Sequence, residues 1–494
     1  MRTVDKPINC IAFDCGNSSF RTMLGRFDGT SIVMEVVDQV YHDAIEINGL
    51  YYWDILKVFE GLKQGLKKAN QVAERIDSVG ICTWGVDFGF LDKSGYLLAN
   101  PLSYRNSIGE EEISSLSVDE KRWMFDQTGI QNNRINSIFQ LEGIKRKMPG
   151  LFGVADRFLM IPDLLNYFFT GVVCTEFSIA STTQILDVRT KQYSQKVMDR
   201  FGYAASLFPP LQKHGTVIGD VKKSIIDELH IPPCKVFCVP SHDTACAVTA
   251  VPAEDENFIF ISSGTWSLLG TELKEPNLDE LVYLRDFANE GGVLDSITLL
   301  RNLTGMHIFQ QIKKELLIEG TKYSWDELIQ IAENFTGKIS FFDTNSYKLF
   351  NPTSMKLAIK DLIASSDASL GEILASIFYS LAYMYRLAIE QIQEITGKSY
   401  QHIYIVGGGS QNSFLNQLTA NFTGKTVISG PTEATSYGNI GVQLMGQLDG
   451  FYLEEIREMV RQSEPIKTIP PDPDRDIHLI ESQYFEFLKC IKPE

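Results

Sequence analysis

A buried apolar strand that breaks into a glycine turn lined with hydroxyl or amide side chains occurs twice, half a chain apart. This repetition constrains the fold more than any other feature. The first copy is Ile11-Ala12-Phe13-Asp14-Cys15-Gly16-Asn17-Ser18-Ser19 and the second is Phe258-Ile259-Phe260-Ile261-Ser262-Ser263-Gly264-Thr265-Trp266-Ser267. Further apolar residues follow each turn, so each copy predicts a β-hairpin. Glycine lets the backbone fold tightly, and its N–H groups, with the Ser, Thr and Asn side chains, can converge on one concavity that suits phosphate. Two such hairpins on two similar domains imply nucleotide phosphate chemistry in a cleft between lobes.

The rest of the chain fits that reading. At 494 residues it is long enough for two or more domains, each with its own core. Its 45 basic residues against 62 acidic ones give a net charge of −17, with no basic run, which argues against nucleic acid or an anionic membrane as partner. An anionic nucleotide is not excluded, because a few N–H groups and a metal ion can hold it. Residues Met1 to Asn9 lack the pattern of a signal peptide, and no apolar run reaches membrane-spanning length, so a cytoplasmic protein is expected. The eight cysteines form no CxxC pair and mostly sit in apolar segments, as reduced core thiols would.

Strands are expected at 8–14, 20–27, 31–38 and 76–82, with a helix over Asp54–Ala69 capped by Asp54. Strands followed by a helix and another strand indicate an α/β lobe. A helix is expected over Arg157–Thr170, stopped by Gly171, and a strand over Lys235–Pro240. The segment Pro252–Asn257 marks a boundary. The second half predicts a hairpin at 258–270, a long amphipathic helix at 371–395 and a strand at 402–406. It continues through Gly407-Gly408-Gly409 into a helix from about Ser413, and a turn at Pro470–Pro473 precedes a final helix.

Some motif matches mislead. Gly397-Lys398-Ser399 and Gly424-Lys425-Thr426 resemble the end of a P-loop, but Ile392 and Thr419 stand where its first glycine is required; both triplets follow helices and read as C-caps. Nothing has zinc spacing. Gly407-Gly408-Gly409 joins a strand to a helix, where glycine admits either a flat ligand or simply a tight turn. Ser241-His242-Asp243-Thr244-Ala245 ends a strand and opens a helix, so Asp243 is either an N-cap or a general base. Trp84-Gly85-Val86-Asp87 offers either a polyol-binding wall or a core tryptophan beside a turn.

Taken in order, these motifs resemble the FGGY family of carbohydrate kinases, within the actin/sugar-kinase/heat-shock-ATPase superfamily, over nearly the whole chain. The segments carrying the resemblance are Asp14–Arg21, Thr83–Phe88, Pro101–Arg105, Ile161–Tyr167, Ala180–Gln184, Ser241–Ala245, Ser262–Ser267, Asn289–Gly292 and Val406–Asn412. The resemblance implies an α/β fold of two RNase-H-like lobes with the active-site cleft between them. Residues 1–252 would carry the sugar and phosphate site, and 253–494 the nucleotide site. It further implies ATP-dependent phosphorylation of a ketose at O1, L-rhamnulose first, with L-fuculose or another deoxyketose as the alternative. A non-catalytic sugar or nucleotide sensor is the alternative of another class.

By the same resemblance, Asp243 is the general base and Asp14 lies near Mg²⁺, through water. Asn17, Ser18, Ser19, Phe20, Arg21, Thr265, Gln310 and Gly408 contact ATP. Gly85, His242, Asp243, Thr244 and Asn302 line the sugar. Phosphoryl transfer asks for little beyond metal, positioned phosphates and one base. ATP, Mg²⁺ and a small ketose are thus the expected partners, with monomer and homodimer both open. Three positions depart from the family pattern. Phe20 replaces a glycine at the first hairpin, and Asn106 (for aspartate) and His307 (for tryptophan) bear on the sugar pocket.

Overall fold

The runs Ile8–Cys15 and Ser78–Thr83 are buried along almost their whole length, as strands covered by helices on both faces must be. A computed structural model describes residues 4, 6–350 and 352–491. In it the two runs lie parallel at the centre of a six-stranded sheet. Its order is Val217–Asp220, Lys235–Phe237, Ser78–Thr83, Ile8–Cys15, Ser19–Phe27, Ile32–Tyr41. The middle three strands are mutually parallel. Ser19–Phe27 returns antiparallel from Ile8–Cys15, which is the expected first hairpin.

The chain divides into two compact units. The first contains the residues up to Pro252 together with 272–299 and 433–464; the second contains 253–271, 300–432 and the residues from Pro465. In the first unit, helix Ile55–Val72 lays Ile55, Val58, Leu62, Leu66 and Ala69 into the core, and the Asp54 carboxylate caps it by accepting from Lys57 N–H. Helix Ala434–Gln447 is held to the sheet by Gln443, whose amide donates to Ile11 O (2.9 Å) and accepts from Ser78 Oγ (2.6 Å). It also passes helix Asp243–Thr249 so closely that a Cβ on Gly438 would lie 1.9 Å from Cys246 O.

The second unit repeats the strand pattern. Ile297–Thr304, Trp266–Leu273, Ile259–Ser263, His402–Val406, Thr426–Ser429 and Lys467–Ile469 follow one another across its sheet. Ile259–Ser263, His402–Val406 and Thr426–Ser429 are again the parallel trio, and Trp266–Leu273 again returns antiparallel. The long helix Leu370–Thr396 begins at the Ser369 cap and ends at Gly397 in the left-handed conformation. Gly424 ends helix Ser413–Thr423 the same way, so both P-loop look-alikes are C-caps.

One expected element differs. The helix starts at Ile161, not Arg157: Arg157–Met160 is a strand paired antiparallel with Phe88–Leu91. Pro162 explains the break, because proline fits only the first turn of a helix and biases what precedes it toward extended backbone. All eight cysteines are free thiols, seven of them buried. Among the described residues, no helix is long and apolar enough to cross a membrane.

Candidate active site

In open α/β sheets, ligands bind beyond the carboxyl ends of parallel strands. In the first unit, strand register brings three such ends side by side. Cys15 pairs with Thr83, and Thr83 bridges His242. Asp14, the Thr83–Gly85 turn and His242–Asp243 therefore meet at one edge of the sheet. Gly85 sits in a tight space: a Cβ would come within 3.3 Å of His242 Nε2 and 3.2 Å of the Thr182 methyl, so either neighbour would have to yield slightly.

Asp243 is the first residue of helix Asp243–Thr249, with His242 at the N-cap position. Its Oδ1 accepts from Thr244 N–H (2.6 Å) and lies 3.2 Å from Thr244 Oγ1, so it does not span the turn as an N-cap carboxylate would. Its side chain keeps 35 % of its accessible surface. Burial pushes its carboxyl upward, His242 opposes that, and Asp14 adds to it; the net direction is up, moderated by solvent.

The Ser241–His242 backbone is fixed by a buried carboxylate that sequence motifs did not single out. Glu176 accepts from Ser178 N–H, Ser178 Oγ (2.6 Å), Ile179 N–H (3.1 Å) and Ser241 N–H (2.8 Å), and from His214 Nε2. His214 Nδ1 in turn accepts from Leu294 N–H at 2.9 Å, which leaves the His214 proton on Nε2, facing Glu176. Burial raises the Glu176 carboxyl, but His214 and the surrounding donors win and hold it below its ordinary value. Ser178 Oγ also accepts from His242 N–H at 3.2 Å.

The first hairpin turns at Gly16, whose N–H donates to Ser19 O at 2.9 Å. His42 closes it twice, through its backbone N–H to Ser18 O (3.0 Å) and its ring Nε2 to Gly16 O (2.8 Å). Burial lowers the His42 ring below its ordinary value, so the neutral Nε2–H donates. The side chain of Phe20 points into the core, against Gly61 and His42, so the departure from glycine leaves the turn itself unobstructed. Arg21 pairs with Asp14 (2.5 Å) and with Glu433 (2.8 Å). Glu433 was not anticipated; it is far away in sequence and belongs to no motif.

Two other sequence readings take a structural form. Asp87 is fully buried and accepts from Trp53 Nε1 (2.6 Å), Trp84 Nε1 (3.0 Å) and Gln140 Nε2 (3.1 Å), with burial pushing its carboxyl up to about 6. It orients the two indoles rather than facing a ligand. Asn106 is buried and clips two stretches of backbone, accepting from Tyr51 N–H and donating to Tyr51 O and Ser103 O, each at 2.8 Å. Only an amide can both donate and accept there, so aspartate would not serve.

In the second unit, Gly264 N–H donates to Trp266 O (2.9 Å), and the carbonyls of Gly264 and Thr265 accept from Met306 and His307 N–H groups. The turn thus sits on the start of helix His307–Ile318, which carries half-buried Gln310. Asn302 is exposed on strand Ile297–Thr304. His307 stacks on Trp266, with centroids 6.2 Å apart, and burial lowers its ring. Gly407 has φ +82°, and a Cβ on Gly409 would lie 2.0 Å from Ser263 Oγ, whereas Gly408 faces open space. Two of the three glycines therefore serve close packing, and the middle one leaves room for a ligand.

Known proteins carry the same organisation. Residues 9–249 match the model of the FGGY family of carbohydrate kinases, N-terminal domain, and residues 259–446 match the C-terminal domain. A rhamnulokinase of Bacteroides thetaiotaomicron is 34% identical over 492 residues, covering 98% of this chain and 99% of that protein. One of Bacillus subtilis is 34% identical, covering 97% and 99%. The fold superposes on a gluconate kinase of Lactobacillus acidophilus with a TM-score of 0.80 at 16% identity, covering 98% and 97% of the two chains.

Proposed function

This chain belongs to the FGGY family of carbohydrate kinases, and from that premise we propose that it transfers the γ-phosphoryl group of ATP to O1 of L-rhamnulose with Asp243 as general base. The sugar rests on the rhamnulokinase relatives that span nearly the whole chain. The observation that carries the chemistry is the alignment of Asp14, Gly85 and Asp243 at three adjacent parallel strand ends, beside the hairpin turn that carries Asn17, Ser18 and Ser19.

Gly85 admits the ketose against His242, because any side chain there would fill the space. The O1 proton passes to the Asp243 carboxylate as O1 attacks the γ-phosphorus, and ADP leaves with the bridging oxygen. Asn17, Ser18, Ser19 and the Phe20 backbone hold the transferred phosphate, and Thr265, Gln310 and Gly408 hold the nucleotide. Arg21 would turn toward phosphate from its carboxylate partners. Among the described residues no group of three or more His, Cys, Asp or Glu side chains forms a metal cage. That fits Mg²⁺, which keeps several waters and binds through one or two carboxylates plus substrate phosphates. Asp14 would hold it through water, and the ion would neutralise phosphate charge.

Asp243→Asn tests the base. Asparagine retains an oxygen for Thr244 N–H, so thermal unfolding and ATP binding stay close to wild type. Ketose phosphorylation falls by at least about a hundredfold, the cost of losing a general base. A stable variant with near wild-type kcat would remove Asp243 from that role. A coupled ADP-release assay over a ketose panel tests the sugar, with L-rhamnulose giving the highest kcat/KM. L-fuculose turning over about tenfold better would reassign the substrate and leave the kinase standing.

A further inference from the structure

Both ring nitrogens of His242 face carboxylates. On one side, Nδ1 lies 3.2 Å from Glu290 Oε2, delivered by strand Ala288–Gly291. These two atoms are buried, the approach between them is not linear, and neither has a hydrogen-bond partner elsewhere among the described residues. On the other side, Nε2 lies 3.5 Å from Asp243 Oδ1 and borders the space left by Gly85. A bare Nδ1 lone pair against a buried carboxylate is repulsive, and leaving both groups unsatisfied in a site where the His242 side chain is only 10 % exposed would be costly. A proton on each nitrogen resolves both contacts.

We propose that Glu290 is a positioning residue that keeps His242 doubly protonated, so that the imidazolium holds Asp243 ionised and presents Nε2–H to the ketose. The proposal rests on Asp243 being the base. Burial lowers the imidazole, but Glu290, first among the opposing groups, together with Asp243 and Glu176 outweighs it and raises the group to about 9. The other charged or titratable groups facing this pair are Asp14 and Tyr104, which bear on Asp243, and Glu176, whose oxygens already accept from Ser178, Ile179, Ser241 and His214. The imidazolium acts on Asp243 in a fixed direction. It lowers a carboxyl that burial raises, so loss of the positive charge sends that carboxyl further up.

The test is ¹⁵N-imidazole NMR on the full chain, with the His242 signals identified by their disappearance in His242→Gln. In the wild type both ring nitrogens carry protons at about pH 7.5, and in Glu290→Gln the same ring is neutral at that pH. In kinetics, Glu290→Gln moves the acid limb of kcat/KM to higher pH, with activity at about pH 6 falling about tenfold more than at about pH 8, while Glu290→Asp retains the wild-type limb. A neutral His242 in the wild type at that pH overturns the proposal without any variant, and so does a Glu290→Gln protein whose His242 stays charged. If instead Asp243→Asn keeps its rate, the base assignment falls while the NMR reading of Glu290 and His242 stands.

Discussion

The two glycine hairpins close differently, Gly16 N–H reaching Ser19 O in the first and Gly264 N–H reaching Trp266 O in the second, and they also differ in what surrounds them. At the first, strand register sets Asp14 opposite Arg21, Arg21 also engages Glu433, and His42 clamps the turn from the rings of Phe20, Trp53 and Trp84. At the second, Ser263 faces Ser267, no residue from Ser262 to Ser267 is ionisable, and Ser267 Oγ shares a hydrogen bond with Tyr385 at 2.6 Å. Its turn is held by N–H groups of Met306 and His307 and by the close approach of Gly409. The same strand–glycine–strand pattern thus carries a charged turn in one unit and a neutral, one-residue-shorter turn in the other. Under the proposed function, the charged turn is the one at which the phosphoryl group is transferred, and the neutral one holds phosphate.

The largest effect separating them should come from side-chain charge. Asp14→Asn is expected to lower kcat by about 10²–10³-fold, the range for removing one electrostatic stabiliser. Thr265→Ala should cost less than about tenfold, mostly in KM for ATP, as expected for one neutral hydrogen bond. Steady-state kinetics at saturating ketose distinguish the two, and equal losses would erase the contrast.

A smaller effect concerns packing. Gly409→Ala forces a Cβ against Ser263 Oγ and should destabilise by about 1–3 kcal/mol in denaturant unfolding. Gly408→Ala has open space and should stay within about 0.5 kcal/mol, with any loss appearing in ATP affinity. If both variants melt alike, the second turn does not depend on the Gly409 approach.

The smallest effect is a pH response of the first turn. The folded His42 ring is lowered by burial, opposed by its Gly16 bond and Asp43, with Lys57 and Arg105 lowering it further. Its stabilising contribution is complete above the unfolded value of about 6.5 and is lost as pH falls from there through the folded one. Hydrogen exchange at Cys15 to Ser19, corrected for intrinsic rate, should show protection declining over that window. Protection that is flat with pH would mean that the ring does not clamp the turn.

Much of this was legible locally. Turn chemistry marked both hairpins, apolar periodicity marked Ile55–Val72 and Leu370–Thr396, and Gly171, Gly397 and Gly424 marked helix ends. Where local signals competed, the reading failed: the apolar run from Arg157 has helical spacing, yet Pro162 and the partner strand Phe88–Leu91 make its first four residues a strand. Side-chain roles were harder. Asp87 and Asn106 stand in motif-rich segments, but burial and backbone partners, invisible in sequence, turn one into an anchor for two indoles and the other into a clip.

The sequence by itself determined the duplicated strand-turn-strand unit and the α/β class, because these depend on periodicity and turn chemistry acting over a few positions, while the order of its motifs carried the resemblance to the family. Only the tertiary structure decided which charges meet. Arg21 and Glu433 are 412 positions apart, and His42, Glu176 and Glu290 come to Gly16, Ser241 and His242 from separate elements. It also decided that 433–464 packs with the first unit, through Gln443 and the bare surface of Gly438. The physical reason is that a buried charge is stable only beside its partner, and a linear pattern carries no record of which distant segment will supply one.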